Sequence, residues 1–324
     1  MKILTVPERI EALREQMQIH GLDAWLVYTA DPHLSEYLPE HWSQREYLSG
    51  FSGSAAYMAV TQDKASLWTD SRYWVQAEAQ LKDSGIALMK MGAQGTPGLE
   101  DWVKEQLSAG QAVGVNGLAL SVAQALKLEE SLGQAELELV VEHELLDAFW
   151  EERPALPQAP IYEHDAKYAG LSRQQKITQV REAMRELDSD VHLISALDDI
   201  AWILNLRGSD VEYNPVFLSH LILTEGQALL YVDSVKLSET LLQELATDGV
   251  ELRPYDAVTA DLRRLLADEQ TTLLVDAART AWTICEPYTM QAMLALNPSQ
   301  RLKASKNNKE IAHVRNAMEK DGAA

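Results

Sequence analysis

Apolar residues recur at Ile10, Leu13 and Met17, the i, i+3, i+7 spacing of one helix face, with Arg14 and Glu15 between them. Thr5-Val6-Pro7-Glu8 ahead of this stripe has the form of a capping box, so the pattern predicts a helix with one buried side. The pattern returns at Ile177, Val180 and Met184, with Arg181 and Glu182 between them and Ser172-Arg173-Gln174-Gln175 in front. The offset is 177 minus 10, or 167, and carrying it on without gaps sets Asp23 on Asp190, Leu26 on Leu193 and Asp31 on Asp198. Seven identities across positions 10 to 31 predict a duplicated unit. In each copy the helix runs into a short apolar strand, 24–28 and 191–195, the order expected of an α/β domain with a mixed sheet. Further strands are predicted at 55–61, 65–69 and 112–115, then at 216–224, 227–232 and 271–275, with helices filling the intervals.

The stripe occurs a third time at Ile311, Val314 and Met318, with Arg315 in the slot of Arg14 and Arg181, and Ala317 matching Ala183. An apolar stripe with nothing after it to cover it leads us to expect a chain cut ahead of a third unit. Pro154, Pro157 and Pro160 rule out a continuing helix or a central strand, which makes 153–160 a linker. The expected organisation is therefore domain I at 1–152, the linker, domain II at 161–304, and the opening helix of a truncated domain at 305–324.

With 324 residues and 46% hydrophobic content, the chain can build a core for each of two domains. Its net charge of −21 argues against nucleic acid or an anionic membrane as partner. Cys285 is the only cysteine, so no intrachain disulfide can form and a cytoplasmic location is expected. The first residues lack the form of a secretory signal, and no stretch reaches the roughly 18 apolar residues of a membrane span.

Candidate chemistry is sparse, and neither a catalytic set nor a metal site is predicted within these residues. Gly50-Phe51-Ser52-Gly53-Ser54 is close to a nucleophile elbow, but that motif needs glycine at 54, so a Gly/Ser turn is the expectation. His143-Glu144 opens like a zinc helix, yet Asp147 stands where the second histidine is needed, which leaves a solvated helix face. His33 and His41 have neither the spacing nor the context of metal ligands. Asp198-Asp199 could be paired acid/base carboxylates, but Asp198 matches Asp31, and an N-cap role suits both. Tyr37, Leu38 and Trp42, around Pro39, could form an interface patch or part of the core.

One position stands out. Leu67-Trp68-Thr69-Asp70-Ser71-Arg72 and Leu230-Tyr231-Val232-Asp233-Ser234-Val235 run in parallel, so Arg72 faces valine in the copy. A turn that works with valine does not require a bulky cation, which makes Arg72 a candidate recognition residue, with a surface ion pair as the alternative.

The segments Asp31-Pro32-His33-Leu34-Ser35-Glu36-Tyr37, Tyr47-Leu48-Ser49-Gly50-Phe51-Ser52-Gly53-Ser54-Ala55, Leu67 to Tyr73, and Leu197-Asp198-Asp199-Ile200-Ala201-Trp202-Ile203-Leu204-Asn205-Leu206-Arg207-Gly208-Ser209-Asp210 together resemble the N-terminal half of the three-domain Xaa-Pro aminopeptidases. The resemblance implies two creatinase-like N-terminal domains, each a mixed sheet flanked by helices. It also implies a following catalytic domain of pita-bread fold, absent here, that carries two divalent metal ions, manganese by expectation. The substrate would be a peptide with proline in second position, the assembly a homodimer, and Arg72 the residue that helps hold substrate. Asn205 and Arg207 match a family motif and are expected to form a structural turn. A related dipeptidase or a creatinase-type amidinohydrolase fits less well, because these carry one such domain. The alternative of another class is a stand-alone peptide-binding or assembly module without catalysis.

Overall fold

Both capping boxes start helices. Thr5 N donates to Glu8 Oε2 at 2.8 Å ahead of the Val6–Ile19 helix. Ser172 N donates to Gln175 Oε1 at 2.9 Å, and Gln175 N to Ser172 Oγ at 3.2 Å, ahead of Arg173–Glu186. The predicted stripes are the buried faces, Ile10, Leu13 and Met17 in one helix and Ile177, Val180 and Met184 in the other. Each such side chain taken out of water contributes about 1.5–3 kcal/mol.

The computed structural model describes residues 3–323. It divides into two compact units, 1–156 with 281–283 and 157–280 with 284–324. In the first unit the strands are β1 (Ala24–Val27), β2 (Ala56–Thr61), β3 (Ala65–Thr69), β4 (Ala87–Lys90), β5 (Ala112–Val115) and β6 (Glu138–Val140), in sheet order β4-β3-β2-β1-β5-β6. The second unit has β7 (Tyr162–Glu163), β8 (Val191–Ile194), β9 (Leu206–Arg207), β10 (His220–Thr224), β11 (Ala228–Tyr231), β12 (Val250–Arg253), β13 (Leu273–Val275) and β14 (Ala292–Leu294). Its main sheet runs β12-β11-β10-β8-β13-β14, and β7 pairs with β9 apart from it. In each main sheet one strand, β2 or β10, is antiparallel to both neighbours while the remaining pairs are parallel, so both sheets are mixed.

The duplication extends to single hydrogen bonds. Asp23 Oδ2 accepts from Ala112 N at 2.9 Å, and Asp190 Oδ2 from Thr272 N at the same distance. Arg14 Nε donates to Thr61 O at 3.0 Å, and Arg181 Nε to Thr224 O at 2.8 Å. These bonds tie the first helix of each unit, and the turn after it, to the same sheet positions.

The structure departs from the sequence expectation in the intervals, which are not all helical: β4, β6, β12 and β14, at the sheet edges, and the β7–β9 pair lie there as well. The predicted 216–224 strand shortens to β10, because Leu218 N donates to Asp210 Oδ2 instead of joining a ladder. Arg153, placed in the linker, is anchored in the first unit: Nε donates to His41 O at 3.0 Å, and the guanidinium lies 5.2 Å over Trp42. The third stripe does form a helix, Asn308–Asp321, capped by Asn307 and Glu310, and Val314 and Met318 on it are exposed.

Candidate functional site

Arg72 follows β3 in an Asx turn. Asp70 Oδ1 accepts from the Arg72 backbone N at 3.0 Å, and the carboxylate then grips the Arg72 side chain through Nε at 3.0 Å and a terminal nitrogen at 2.7 Å. The helix Trp74–Gln80 begins directly afterwards. The side-chain bonds hold the Asp70 carboxyl below the usual carboxylate range and raise Arg72. The Arg72 side chain nevertheless remains 67% exposed, so the pair is weakly bound to the surface and the guanidinium can exchange Asp70 for another acceptor. It also lies 5.2 Å over the ring of Tyr73, whose hydroxyl is 2.7 Å from Ser54 Oγ.

The second unit repeats the turn without the cation. Asp233 Oδ1 accepts from Val235 N at 3.1 Å, and Val235 is exposed. The next residue, Lys236, turns inward to a buried ion pair with Asp210 at 2.6 Å. The turn therefore needs its aspartate and not its third side chain.

Next to Tyr73, the 50–54 segment is a turn. Gly50 adopts a left-handed φ of 69° as C-cap of the Gln44–Ser49 helix, and β2 follows. A Cβ on Gly53 would lie 2.3 Å from the Phe51 ring, so only glycine fits. Arg45, which sequence reasoning passed over, secures this turn from below: Nε donates to Thr29 Oγ1 at 2.8 Å, and the two terminal nitrogens donate to Phe51 O at 2.5 Å and Gly53 O at 2.7 Å. Burial pushes its pKa down to about 10. A lone Arg inside a short polar helix carries no periodic signal that would have revealed it.

Other candidates fall into structural roles. The 143–147 segment is not a solvated helix face: Glu144 precedes the short Leu145–Ala148 3-10 helix, accepts from Gln44 Nε2 at 2.7 Å and from Asn116 Nδ2, and is lifted above the usual carboxylate range by burial. Neither Asp31 nor Asp198 is an N-cap. Asp31 Oδ1 accepts from His33 N and Ser35 N in a turn, whereas Asp198 lies in the first turn of Leu197–Leu204, behind the N-cap Ala196. Asp198 and Asp199 share Lys303, and the buried Asp199 also accepts from Asn297 Nδ2 at 3.0 Å, so the pair is tied into a structural network with Asp198 half-exposed at its rim. His33 is buried, and His41 Nδ1 lies 2.6 Å from Pro154 O. Of the apolar patch, Trp42 is buried and Tyr37 exposed.

Asn205 ends that helix in the left-handed region, φ 52°, which asparagine tolerates. It accepts from Lys176 Nζ at 2.7 Å, while Lys176 also donates to Trp202 O; burial pushes the lysine down to about 8. Arg207 joins the small sheet and donates to Ala201 O. Gly208 is packed so closely that a Cβ would meet Phe217 at 2.7 Å. The Asn-Leu-Arg-Gly motif is therefore not simply the expected turn: Asn205 caps the helix and Leu206–Arg207 form β9. Among the described residues, no group of three or more His, Cys, Asp or Glu is placed to hold a metal ion, and no helix is long and apolar enough to cross a membrane.

A model of the creatinase/prolidase N-terminal domain matches residues 9–148, and a second model of that description matches 152–310. The chain is built from two creatinase/prolidase N-terminal domains. These domains are 36% identical over 334 aligned residues to a Talaromyces marneffei protein named "Probable Xaa-Pro aminopeptidase P", covering all of this chain and 50% of that one. An Arabidopsis thaliana protein, "Aminopeptidase P2", is 34% identical, with coverage of 99% and 50%. The solved X-prolyl aminopeptidase of Caenorhabditis elegans, described as a cytosolic enzyme with a di-nuclear active site, superposes with a TM-score of 0.90 at 30% identity. That match covers 97% of this chain and 53% of the other. The chain thus spans about half the length of the curated relatives it matches.

Proposed function

We propose that this chain is the non-catalytic N-terminal part of an Xaa-Pro aminopeptidase, with Arg72 as a substrate contact. The observation that carries the role of Arg72 is the paired turn: the same aspartate-held backbone presents an exposed guanidinium in one domain and valine in the other. A guanidinium held by a single surface carboxylate can take up a peptide carbonyl or carboxylate in a charge-assisted, two-pronged hydrogen bond. Its work is binding and orientation, and no proton leaves it.

The chemistry would lie elsewhere in the longer protein. The described residues do not fit a two-metal centre. By the analogy of the Caenorhabditis elegans relative, two divalent metal ions, manganese in our reading, would be held by a separate catalytic domain that acts in the cytoplasm on peptides with proline second. The boundaries 1–152, 153–160, 161–304 and 305–324 belong to this reading, with Asn308–Asp321 as the first helix of the catalytic domain. A homodimer is part of it too.

The test is hydrolysis of an Xaa-Pro-Xaa tripeptide with added manganese, comparing the 324-residue chain with a form extended through the downstream reading frame. Activity confined to the extended form supports the proposal. Activity in the 324-residue chain contradicts it, and no activity in either turns the reading toward a binding module.

A further inference from the structure

The β7–β9 pair sets Tyr162 opposite Arg207, and His164 N, just past β7, donates to Asn205 O at 2.7 Å. The short helix Ala166–Ala169 then carries Tyr168 beside His164, with ring centroids 5.8 Å apart. Asn307 Nδ2 donates to Ala169 O at 2.8 Å and docks the Asn308–Asp321 helix here, which brings His313 edge-on to Tyr168 at 5.7 Å. A Cβ on Gly170 would lie 2.5 Å from Asn307, so this docking depends on glycine. The result is a cleft of about 300 Å³ in the second unit, lined by His164, Tyr168, Arg207, Lys306, Glu310 and His313.

The cleft reverses the charge balance of the chain. The sequence has 49 acidic residues against 28 Lys and Arg, yet here Arg207, Lys306 and two imidazoles face the single carboxylate of Glu310. That carboxylate is already engaged, accepting from Asn307 N at 2.9 Å in the helix cap. Arg207 is partly exposed and uses one terminal nitrogen on Ala201 O and Leu206 O, at 2.8 Å each. Its other terminal nitrogen and Nε, one edge of the guanidinium, have no acceptor among the described residues. Lys306 Nζ donates to a neutral carbonyl, Lys303 O. His164 registers the resulting field: burial, then the charges of Arg207, Lys176 and His313, hold it below the ordinary imidazole range, with Asp165 opposing. An anion in the cleft would relieve that repulsion.

Two cations at the cleft argue against a metal ion as its ligand. Charges farther away than about 8 Å are largely screened at physiological salt, so a small ion responds to this cluster, while an extended polyanion meets the acidic surface around it. The two-pronged edge of Arg207 and the donors from separate elements suit an anion with three or more acceptor oxygens better than a two-oxygen carboxylate. We propose that this cleft binds a phosphate group, free or as a small monoester, with Arg207 and Lys306 as its charged donors and His164 and His313 as further ones. Arg207, which the substrate reading of Arg72 leaves without a role, is then a ligand contact, and the proposal does not depend on that reading.

The experiment is calorimetric titration of the 324-residue chain, at neutral pH and low salt, with inorganic phosphate, glycerol 3-phosphate and acetate, together with a pH titration of the histidine ring protons by NMR. One phosphate per chain should bind, acetate should bind about tenfold more weakly or not at all, and phosphate should raise the pKa of His164. Lys306→Gln, safe for folding because that side chain is exposed, should weaken phosphate roughly three- to tenfold. Arg207→Lys, which keeps the charge and loses the fork, should weaken it about tenfold. Lys127→Gln, on an exposed lysine of the first unit, should leave it unchanged. Tighter binding of glycerol 3-phosphate identifies a monoester as the ligand, and tighter binding of inorganic phosphate identifies the free ion. The site is overturned by any of three results: no saturable binding of either phosphate, acetate binding as tightly, or Lys127→Gln weakening binding as much as Lys306→Gln and Arg207→Lys do.

Discussion

The turn after β3 and the turn after β11 are the same device put to two uses. In the second domain Asp233 holds the turn, Val235 is idle at the surface, and Lys236 goes inward to Asp210, where Leu218 N also donates to that carboxylate. In the first domain Asp70 holds the turn, Arg72 stands in solvent, and Tyr73 reaches along the surface to Ser54. One copy spends its side chains on the interior and the other on a surface. The difference teaches that duplication can reveal function: where two copies share a backbone, the side chain that the fold does not need is the candidate for recognition.

The largest effect should come from the inward-facing residue. Lys236→Met leaves Asp210 buried without its partner, and breaking such a pair costs about 3–5 kcal/mol, read as a lower denaturation midpoint for the second domain. A midpoint shift no larger than that of Arg72→Ala would erase the contrast.

Acid should separate the domains next. His192 in β8 occupies the place of Trp25 in β1, is fully buried, and has its pKa pushed down to about 4 by that burial. Its folded pKa lies below the unfolded value of about 6.5, so the unfolded state binds more protons between the two. This residue therefore leaves stability intact above pH 6.5 and removes on the order of 3 kcal/mol as pH falls toward 4. His192→Phe should flatten that part of the second domain's pH profile. An unchanged profile would show that carboxylates alone set it.

Asp70→Ala and Asp233→Ala should each lower the melting temperature by a small and similar amount, since each removes the acceptor that caps its turn. A marked inequality between them would mean that the turns are not equivalent. Arg72→Ala should leave the melting temperature unchanged, because its ion pair is exposed.

What could be read from the sequence divides along the same line of burial. The strands β1, β3, β8 and β11 are buried at every position and read as largely apolar runs, interrupted only by Ser66, Thr69 and His192 when Tyr231, the last residue of β11, is counted with the apolar ones. The edge strands β4 and β6 have no fully buried residue and are only four and three residues long, so Ala87–Lys90 and Glu138–Val140, though largely apolar, are too short to stand out as strands. Asp23 and Asp190 were matched by offset alone, and the structure gives them one job; Asp31 and Asp198 were matched in the same way and do different ones. Arg72 was legible because the copy differs there. Arg45 was not, since its partners, the Thr29 hydroxyl and the backbone oxygens of Phe51 and Gly53, leave no trace in spacing.

The central claim is that Arg72 contributes to substrate binding and not to the fold. It is tested most directly by kcat/KM on an Xaa-Pro-Xaa peptide for the downstream-extended protein and its Arg72→Ala form, with melting temperatures measured in parallel. A loss of roughly tenfold or more at an unchanged melting temperature is expected, since a hydrogen bond to a charged group is worth about 1.5–3 kcal/mol. An unchanged kcat/KM would contradict it and return Arg72 to the status of a surface ion pair.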